Sequence, residues 1–523
     1  MTEDQIIQKL LNNRGLTSKK AVDEFFHPVH PSEIKSPFDP KPAIKLINSH
    51  IKKGNKIAIY GDYDVDGICS TAILWETLYS QYKNVFPHIP HRREEGYGLS
   101  IAGIDHCLAQ SAKLIITVDN GITAIEQVDY CKSHGCDIII IDHHEKGPRL
   151  PDSQFIIHDS STCAAGLTWF FCRDFNSTQS LELVALAVIC DIVPLLGTNR
   201  SFAKFGLEEL NKTQRPGLLA VFEEAAIKPP ITPYHVGFII GPRLNAAGRL
   251  EHALDSLRLL CTKDPAKAHD LAAHLGEVNR TRQELTQHAV EHALNSLNIT
   301  NLLVTAHESY DEGIIGLIAA KLAEKHHRPA VAISIGEKTS KGSARSIPGF
   351  HITEHLRQFE SLLANVGGHA MAAGFTLESA KLAQFAQAVS NPDIPADLLV
   401  KKQRVDCEIP LDAIRYTLYA NLKDFEPYGL GNPTPTFLTK NVHISNVRQM
   451  GKLNQHLKFN VDDLEAVWFN VPSPPLKLRE GPGVSYDITY TVDQNTWNGS
   501  TKLQLIVKEV SPSLSRPEHV EGD

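Results

Sequence analysis

Three short isoleucine-rich runs constrain this chain more than any other feature, because each one ends in an acidic cluster. Lys56–Tyr60 (KIAIY) leads into Asp62-Tyr63-Asp64-Val65-Asp66-Gly67. Leu114–Val118 (LIITV) leads into Asp119-Asn120-Gly121, and Asp137–Ile141 (DIIII) into Asp142-His143-His144-Glu145. Runs this short and this continuously apolar fit strands covered on both faces, as in a parallel sheet. With Gln154–Ile157 as a fourth strand and helical stretches at Ser70–Tyr82 and Ile122–His134, the spacing predicts a doubly wound α/β domain over 41–204. Groups at the carboxyl ends of neighbouring strands in such a sheet converge on one crevice. Asp191, at the end of the apolar stretch Leu183–Cys190, is expected to join them.

Crowded carboxylates repel, and each costs several kcal/mol to bury unpaired. Their convergence therefore calls for cations. An oxygen-rich set with one or two imidazoles suits Mn²⁺ or Mg²⁺ better than structural Zn²⁺, which favours cysteine. The number of acidic groups exceeds the needs of one ion and points to a pair, which clamps attacking and leaving oxygens in phosphoester hydrolysis. A calcium loop of the EF-hand type is excluded at 62–73, because Ile73 stands where the twelfth-position Glu belongs.

The 523 residues suggest about three domains. Residues 1–40 read as a short helix and a proline-rich connector wrapped onto the first domain. Residues 205–300 are helical, and Ala266–Leu297 reads as one long connector helix. Residues 301–398 return to α/β, with strands at Asn301–Thr305 and Ala330–Ile335 and a helix near Gly313–His326. Residues 399–512 alternate in short segments, the pattern of a small β-barrel or sandwich, and 513–523 read as a tail. The nine cysteines contain no CxxC pair, which fits reduced thiols and a cytoplasmic setting. There is no signal-peptide pattern and no apolar run of spanning length, so a membrane protein is not expected. A net charge of −8 disfavours a uniformly basic coat, yet a local basic groove is enough to bind phosphates.

The four acidic motifs, Asp62–Gly67 (DYDVDG), Val118–Gly121 (VDNG), Asp142–Glu145 (DHHE) and the Asp191 helix, resemble those of the DHH phosphoesterase superfamily. Gly241–Leu250 (GPRLNAAGRL), Gly342–Ser346 (GSARS), Gly367–Phe375 (GGHAMAAGF), Arg92–Gly98 (RREEGYG) and Tyr428–Pro433 (YGLGNP) resemble its RecJ branch. Arg93 and Glu95 depart from the Phe and Asp more common there.

The resemblance implies a metal-dependent 5′→3′ exonuclease that cuts single-stranded DNA to mononucleotides in repair and recombination. Its fold would be a parallel-sheet DHH domain, a helical connector, a DHH-associated α/β domain and an OB-like barrel. By the same match, Asp62, Asp64, Asp66, Asp119, His143 and Asp191 would hold two Mn²⁺ or Mg²⁺ ions, with Asp119 as the bridge. Tyr60 stands where small relatives carry a histidine ligand, so Asp62 or water would complete that shell. His144 would lie beside the scissile phosphate, with Asp142 orienting an imidazole.

Arg92, Ser343 and Arg345 would grip a 5′-phosphate, and Arg243, Asn245, Arg249, Arg280 and His369 would line the strand's path. In the barrel, Trp468, Phe469, Tyr486, Tyr490 and Trp497 are candidates for stacking on bases. A single-strand-binding protein and a helicase are the partners the family implies, and a monomer is expected. Two other readings stay open: a phosphodiesterase of short oligonucleotides or cyclic dinucleotides, and a catalytically silent single-strand-binding scaffold.

Overall fold

The computed structural model describes residues 1–175, 180–451, 453–471, 478, 484–497 and 499–513. The chain divides into two compact units. One comprises Lys35–Val193 and Phe205–Lys402; the other comprises Met1–Ile34, Pro194–Lys204 and Gln403–Asp523.

The larger unit contains two sheets. The first is all parallel, in the order β2-β1-β3-β4-β5. Its strands are β1 (Lys56–Tyr60), β2 (Val85–His88), β3 (Ala112–Val118), β4 (Asp137–Asp142) and β5 (Phe155–His158). In β1, Ile57 and Ile59 alternate with Ala58 and Tyr60 and all four are fully buried, so both faces are covered as the continuous apolar runs predict. The sequence reading missed β2, a four-residue edge strand with a proline at its third position. Chain order reverses between β1 and β3, and the acidic motifs follow those two strands and β4.

The second sheet runs β6-β7-β8-β10-β9, with β6 (Leu303–His307), β7 (Ala330–Ser334), β8 (Thr339–Arg345), β9 (Asn365–His369) and β10 (Ala372–Glu378). Only β6 and β7 pair in parallel; the other ladders are antiparallel. The GSARS and GGH motifs therefore lie on strands that sequence reading did not assign. Glycine, alanine and serine have weak strand preference, and their pairing rests on register, such as Gly342 opposite Phe375. The helix Pro265–Ser296 joins the two halves of this unit, close to the extent the sequence predicts.

The other unit holds a seven-stranded sheet in the order β11-β12-β16-β17-β15-β14-β13. These strands are β11 (Cys407–Glu408), β12 (Phe437–Val442), β13 (Ile444–Met450), β14 (His456–Val461), β15 (Leu464–Trp468), β16 (Tyr486–Trp497) and β17 (Ser500–Pro512). Of residues 1–40, expected to wrap onto the first domain, 1–34 group with this unit instead, while 35–40 fall in the larger one. Ile6, Leu10, Leu11 and Phe25, from two helices rather than one (Glu3–Asn13 and Lys19–Phe26), belong to the same core as Phe425, Phe437 and Tyr490. Buried arginines fasten them. Arg14 donates to Asn432 Oδ1 (2.7 Å) and Pro433 O (2.6 Å), and Arg200 donates to Phe25 O (2.6 Å) and Phe425 O (3.1 Å). The YGLGNP motif thus supplies Asn432 as an anchor. The tail from 514 onward lies outside the described residues. Among the described residues no helix is long and apolar enough to cross a membrane.

Candidate metal centre

Backbone geometry aims each carboxylate. Asp64 caps the helix Val65–Gln81, its Oδ1 accepting the Gly67 N–H at 3.1 Å. That turn folds back so tightly that a Cβ on Gly67 would sit 2.6 Å from the Asp62 side chain, so only glycine fits there. Asp66 lies in the first turn of that helix and accepts the N–H groups of Ala164 (2.8 Å) and Ala165 (2.8 Å) at the start of the helix Ala164–Asp174. Asp119 takes a left-handed backbone (φ 67°), which aspartate tolerates better than most residues. Asn120 ties this turn to the end of β1 by donating to Gly61 O (3.0 Å) and back to its own strand by donating to Val118 O (3.0 Å). Asp191 caps the C-terminus of the helix Leu181–Cys190.

These groups meet. Ligand atoms of Asp66, His143 and Asp191 lie within 4.8 Å of one another, as do those of Asp62, Asp64 and Asp119, and of Asp119, His143 and His144. His143 Nε2 is 3.2 Å from Asp119, 3.6 Å from Asp66 and 3.8 Å from Asp191. Asp62, Asp66 and Asp119 are each 2% exposed or less. Asp62 Oδ1 and Asp119 Oδ1 are buried without a hydrogen-bond partner. Burial and the neighbouring Asp64 push the Asp62 carboxyl up to about 8, and burial with Asp66 and Asp64 pushes Asp191 to about 8. Asp119 rises well above the carboxylate range for the same reasons. Orphaned buried oxygens and mutual repulsion are what divalent cations relieve, and this mixture of carboxylates with one imidazole suits Mn²⁺ or Mg²⁺. Tyr60 takes no part: its hydroxyl donates to Gly98 O (3.3 Å) and its ring lies near His88.

The two histidines of the DHH motif part company. Burial holds the His143 imidazole below its ordinary pKa. His144 is opposed by burial, but its bond to Asp142 (Nδ1 to Oδ1, 2.7 Å) and that carboxylate's charge lift it to about 9. Burial would raise Asp142, yet His144 and the N–H groups of Ile122 and His144 leave it below the usual range. The Tyr97 hydroxyl lies 2.8 Å from His144 Nε2, a contact that sequence reading missed although the GYG string was in view.

A cationic pocket belongs to the same unit. The Arg92 guanidinium lies 4.3 Å from the Tyr63 ring centroid, and its buried Nε has no hydrogen-bond partner. Arg345 donates to Ser343 Oγ (3.1 Å) and Ala344 O (2.8 Å). A Cβ on Gly316, in the first turn of the helix Ile315–His326, would lie 3.0 Å from Arg345 Nη2. Burial and the charges of Arg92, Arg282 and Arg345 lower Arg249 to about 10, and burial with Arg92 lowers Arg345. None of these four arginines has a carboxylate within ion-pair distance among the described residues. His369 is exposed on β9, 3.9 Å from Glu145 of the DHHE motif.

Arg243 and Arg280 fall elsewhere. Both pair with Glu224, at 2.6 Å and 2.9 Å, and Arg280 also with Glu277 at 2.7 Å. Sequence reading named Arg280; Arg282, which it did not name, is among the guanidiniums whose charges lower Arg249. The signal was present: Ala268, Ala272, Leu275, Asn279, Ala289 and Ala293 mark the buried stripe of the helix Pro265–Ser296, and position 282 falls on it while 280 does not. Of the proposed stacking aromatics, Trp468, Tyr486 and Tyr490 are core residues, because their strands turn these rings inward; Phe469 is exposed. The Trp497 side chain lies outside the described residues.

Comparison with known proteins supplies a second line of observation. Residues 56–189 match the DHH family N-terminal domain, 299–391 the DHHA1 domain and 405–509 the RecJ OB domain. The single-stranded-DNA-specific exonuclease RecJ of Bacillus subtilis is 32% identical, over 97% of this chain and 68% of the relative. That of Salmonella typhimurium is 30% identical, over 97% of this chain and 96% of the relative. Among solved structures, RecJ from Thermus thermophilus in complex with Mn²⁺ superposes with a TM-score of 0.82 and 27% identity, over 99% of this chain and 76% of that one. The same protein with Mg²⁺ gives 0.76 and 25% identity, over 97% and 74%.

Proposed function

The chain belongs to the RecJ family of single-stranded-DNA-specific exonucleases, and on that premise we propose that it degrades single-stranded DNA from a phosphorylated 5′ end, releasing mononucleotides. It is a nuclease that takes Mn²⁺ or Mg²⁺. The observation that carries the reading is the pairing, within one unit, of a crevice of mutually repelling carboxylates with a cluster of arginines that lack acidic partners.

In this reading Asp62, Asp64, Asp66, Asp119, His143 and Asp191 would hold the divalent ions. Bound divalent cations lower the pKa of water and neutralise charge on the phosphoryl oxygens. The protein's own groups do the rest. Asp142 fixes His144 through Nδ1, which leaves Nε2, beside the Tyr97 hydroxyl, as the atom that donates to the phosphate or the leaving oxygen. Arg92, Ser343 and Arg345 grip the terminal phosphate by charge-assisted bonds. That grip sets the register of the scissile bond. Asn245, Arg249 and His369 line the strand; Arg243 and Arg280, held by Glu224, are left out of this role.

A cytoplasmic protein acting in repair and recombination, beside a single-strand-binding protein and a helicase, completes the proposal. The match of residues 405–509 to the RecJ OB domain supports a long strand over a dinucleotide as substrate. End-labelled single- and double-stranded DNA of both polarities, with and without Mn²⁺, tests it. Metal-dependent loss of single strands from the 5′ end is expected; cleavage of dinucleotides alone, or of duplex equally well, overturns it.

A further inference from the structure

The loop between β2 and the helix Ile101–Ala109 carries two groups of the site, and its own backbone does not hold them. Arg92 lies over the Tyr63 ring, and Tyr97 reaches His144 Nε2. Tyr97 stands between Gly96 (φ 84°) and Gly98 (φ 75°), left-handed positions at which glycine leaves the chain free to turn. Tyr97 is also 59% exposed, so packing alone does not fix it. One carboxylate sets the loop instead. Glu95 Oε1 accepts the His91 N–H at 2.9 Å, and Oε2 lies 2.9 Å from Nε2 of His88, the last residue of β2. The fit is close: a Cβ on Gly103, in the first turn of the following helix, would sit 2.6 Å from Glu95 Oε2. Burial would raise the Glu95 carboxyl, but the bonds from His88 and the His91 N–H hold it below its ordinary value. Among the described residues that carboxylate bonds to nothing else.

We propose that Glu95 is a positioning residue that places Arg92 and Tyr97 together, so that one loop governs both the 5′-phosphate grip and the His144 imidazole. The proposal rests on the exonuclease reading and adds to it a residue that contacts neither substrate nor metal. Arg92 precedes Glu95 by three residues and Tyr97 follows it by two. Both lie against one ring: the Arg92 guanidinium is 4.3 Å from the Tyr63 centroid, and the Tyr97 and Tyr63 centroids are 6.1 Å apart. Removing the carboxylate therefore releases both ends of the loop at once.

Steady-state kinetics of the full chain with Mn²⁺, on single strands carrying a 5′-phosphate or a 5′-hydroxyl, test the brace. Glu95→Ala is expected to cut the 5′-phosphate preference, a ratio of kcat/KM, about fivefold and to lower kcat about tenfold on both strands. These losses are expected not to add to those of the residues that Glu95 places. In Tyr97→Phe protein, Glu95→Ala lowers kcat by less than about twofold more; in Arg92→Ala protein, it changes the remaining preference by less than about twofold. Glu95→Gln, which keeps an acceptor for the His91 N–H, replaces Ala should that variant not fold, with the same pattern at smaller size. An unchanged preference, an unchanged kcat, or losses that multiply in the double variants overturn the brace. Wild-type protein that leaves both strands intact overturns the exonuclease reading itself.

Discussion

The carboxylate crevice and the arginine pocket are built on opposite principles, although one unit contains both. Each acid is short and is aimed by backbone: Asp66 by Ala164 and Ala165, Asp142 by Ile122 and His144, Asp119 by its own left-handed turn. The arginines reach on long stems from a loop, two helices and β8, steadied by a ring, a hydroxyl and carbonyls. Short groups on a rigid frame keep ligand positions fixed even at the cost of repulsion, and long groups adapt to a flexible end. Positional accuracy is thus concentrated at the chemistry and tolerance at the grip.

The largest effect expected from breaking this contrast is at Asp119. Asp119→Asn should lower turnover by more than about a hundredfold while raising the melting temperature of the metal-free protein, because it removes a buried carboxyl whose ionisation its acidic neighbours oppose. Asp66→Asn should lose activity to a similar degree but destabilise the metal-free fold by about 1–3 kcal/mol, since an amide NH₂ then faces the Ala164 or Ala165 N–H. Thermal melts of the two variants decide. Shifts of the same sign would remove the distinction between an acid held by metal and one held also by backbone.

Next in size is pH. Raised folded-state pKa values mean that the folded protein holds its protons longer than the unfolded chain does. Without metal, the carboxyls of Asp62 and Asp191 lose stabilisation as pH climbs from about 4 through about 8. The His144 contribution, complete below about 6.5, fades as pH rises through about 9. Denaturant midpoints of metal-free protein should therefore fall from mildly acid to alkaline pH, and Mn²⁺ should flatten the curve. A midpoint independent of pH over that window would contradict the charge crowding.

On the arginine side, Arg345→Ala is expected to cut the preference for 5′-phosphorylated over 5′-hydroxyl strands about tenfold, measured as a ratio of kcat/KM. An unchanged ratio would take Arg345 out of the pocket. Smallest of all is Arg93→Ala. Arg93 is half exposed and bridges to Asp311 at 2.6 Å, so its loss should change stability by less than about 1 kcal/mol and activity by less than about twofold.

The crevice was legible in the sequence because a parallel sheet imposes its own geometry: apolar runs declare the strands, and whatever follows them meets at one edge. Asp62, Asp119 and Asp142 could be placed together from that rule alone. The pocket was less legible. Motif resemblance picked out Arg92, Ser343 and Arg345 but passed over Arg282, which the alanine-marked stripe of its helix alone separates from Arg280. Tyr97 is joined to His144 by a fold-back of the chain that no spacing records. The β8–β10 ladder escaped notice because its glycines and alanines carry little strand signal.

The sequence by itself determined the parallel sheet, the acids at its edge and the long connecting helix, because side-chain periodicity and strand-end order are properties of the chain. Only the tertiary structure decided that the first 34 residues complete the core of the unit containing Gln403–Asp523. It alone decided that Arg243 and Arg280 answer to Glu224, and that Trp468, Tyr486 and Tyr490 are core residues. Those outcomes depend on which distant surface each side chain finds, and burial and charge pairing are settled between segments rather than within them.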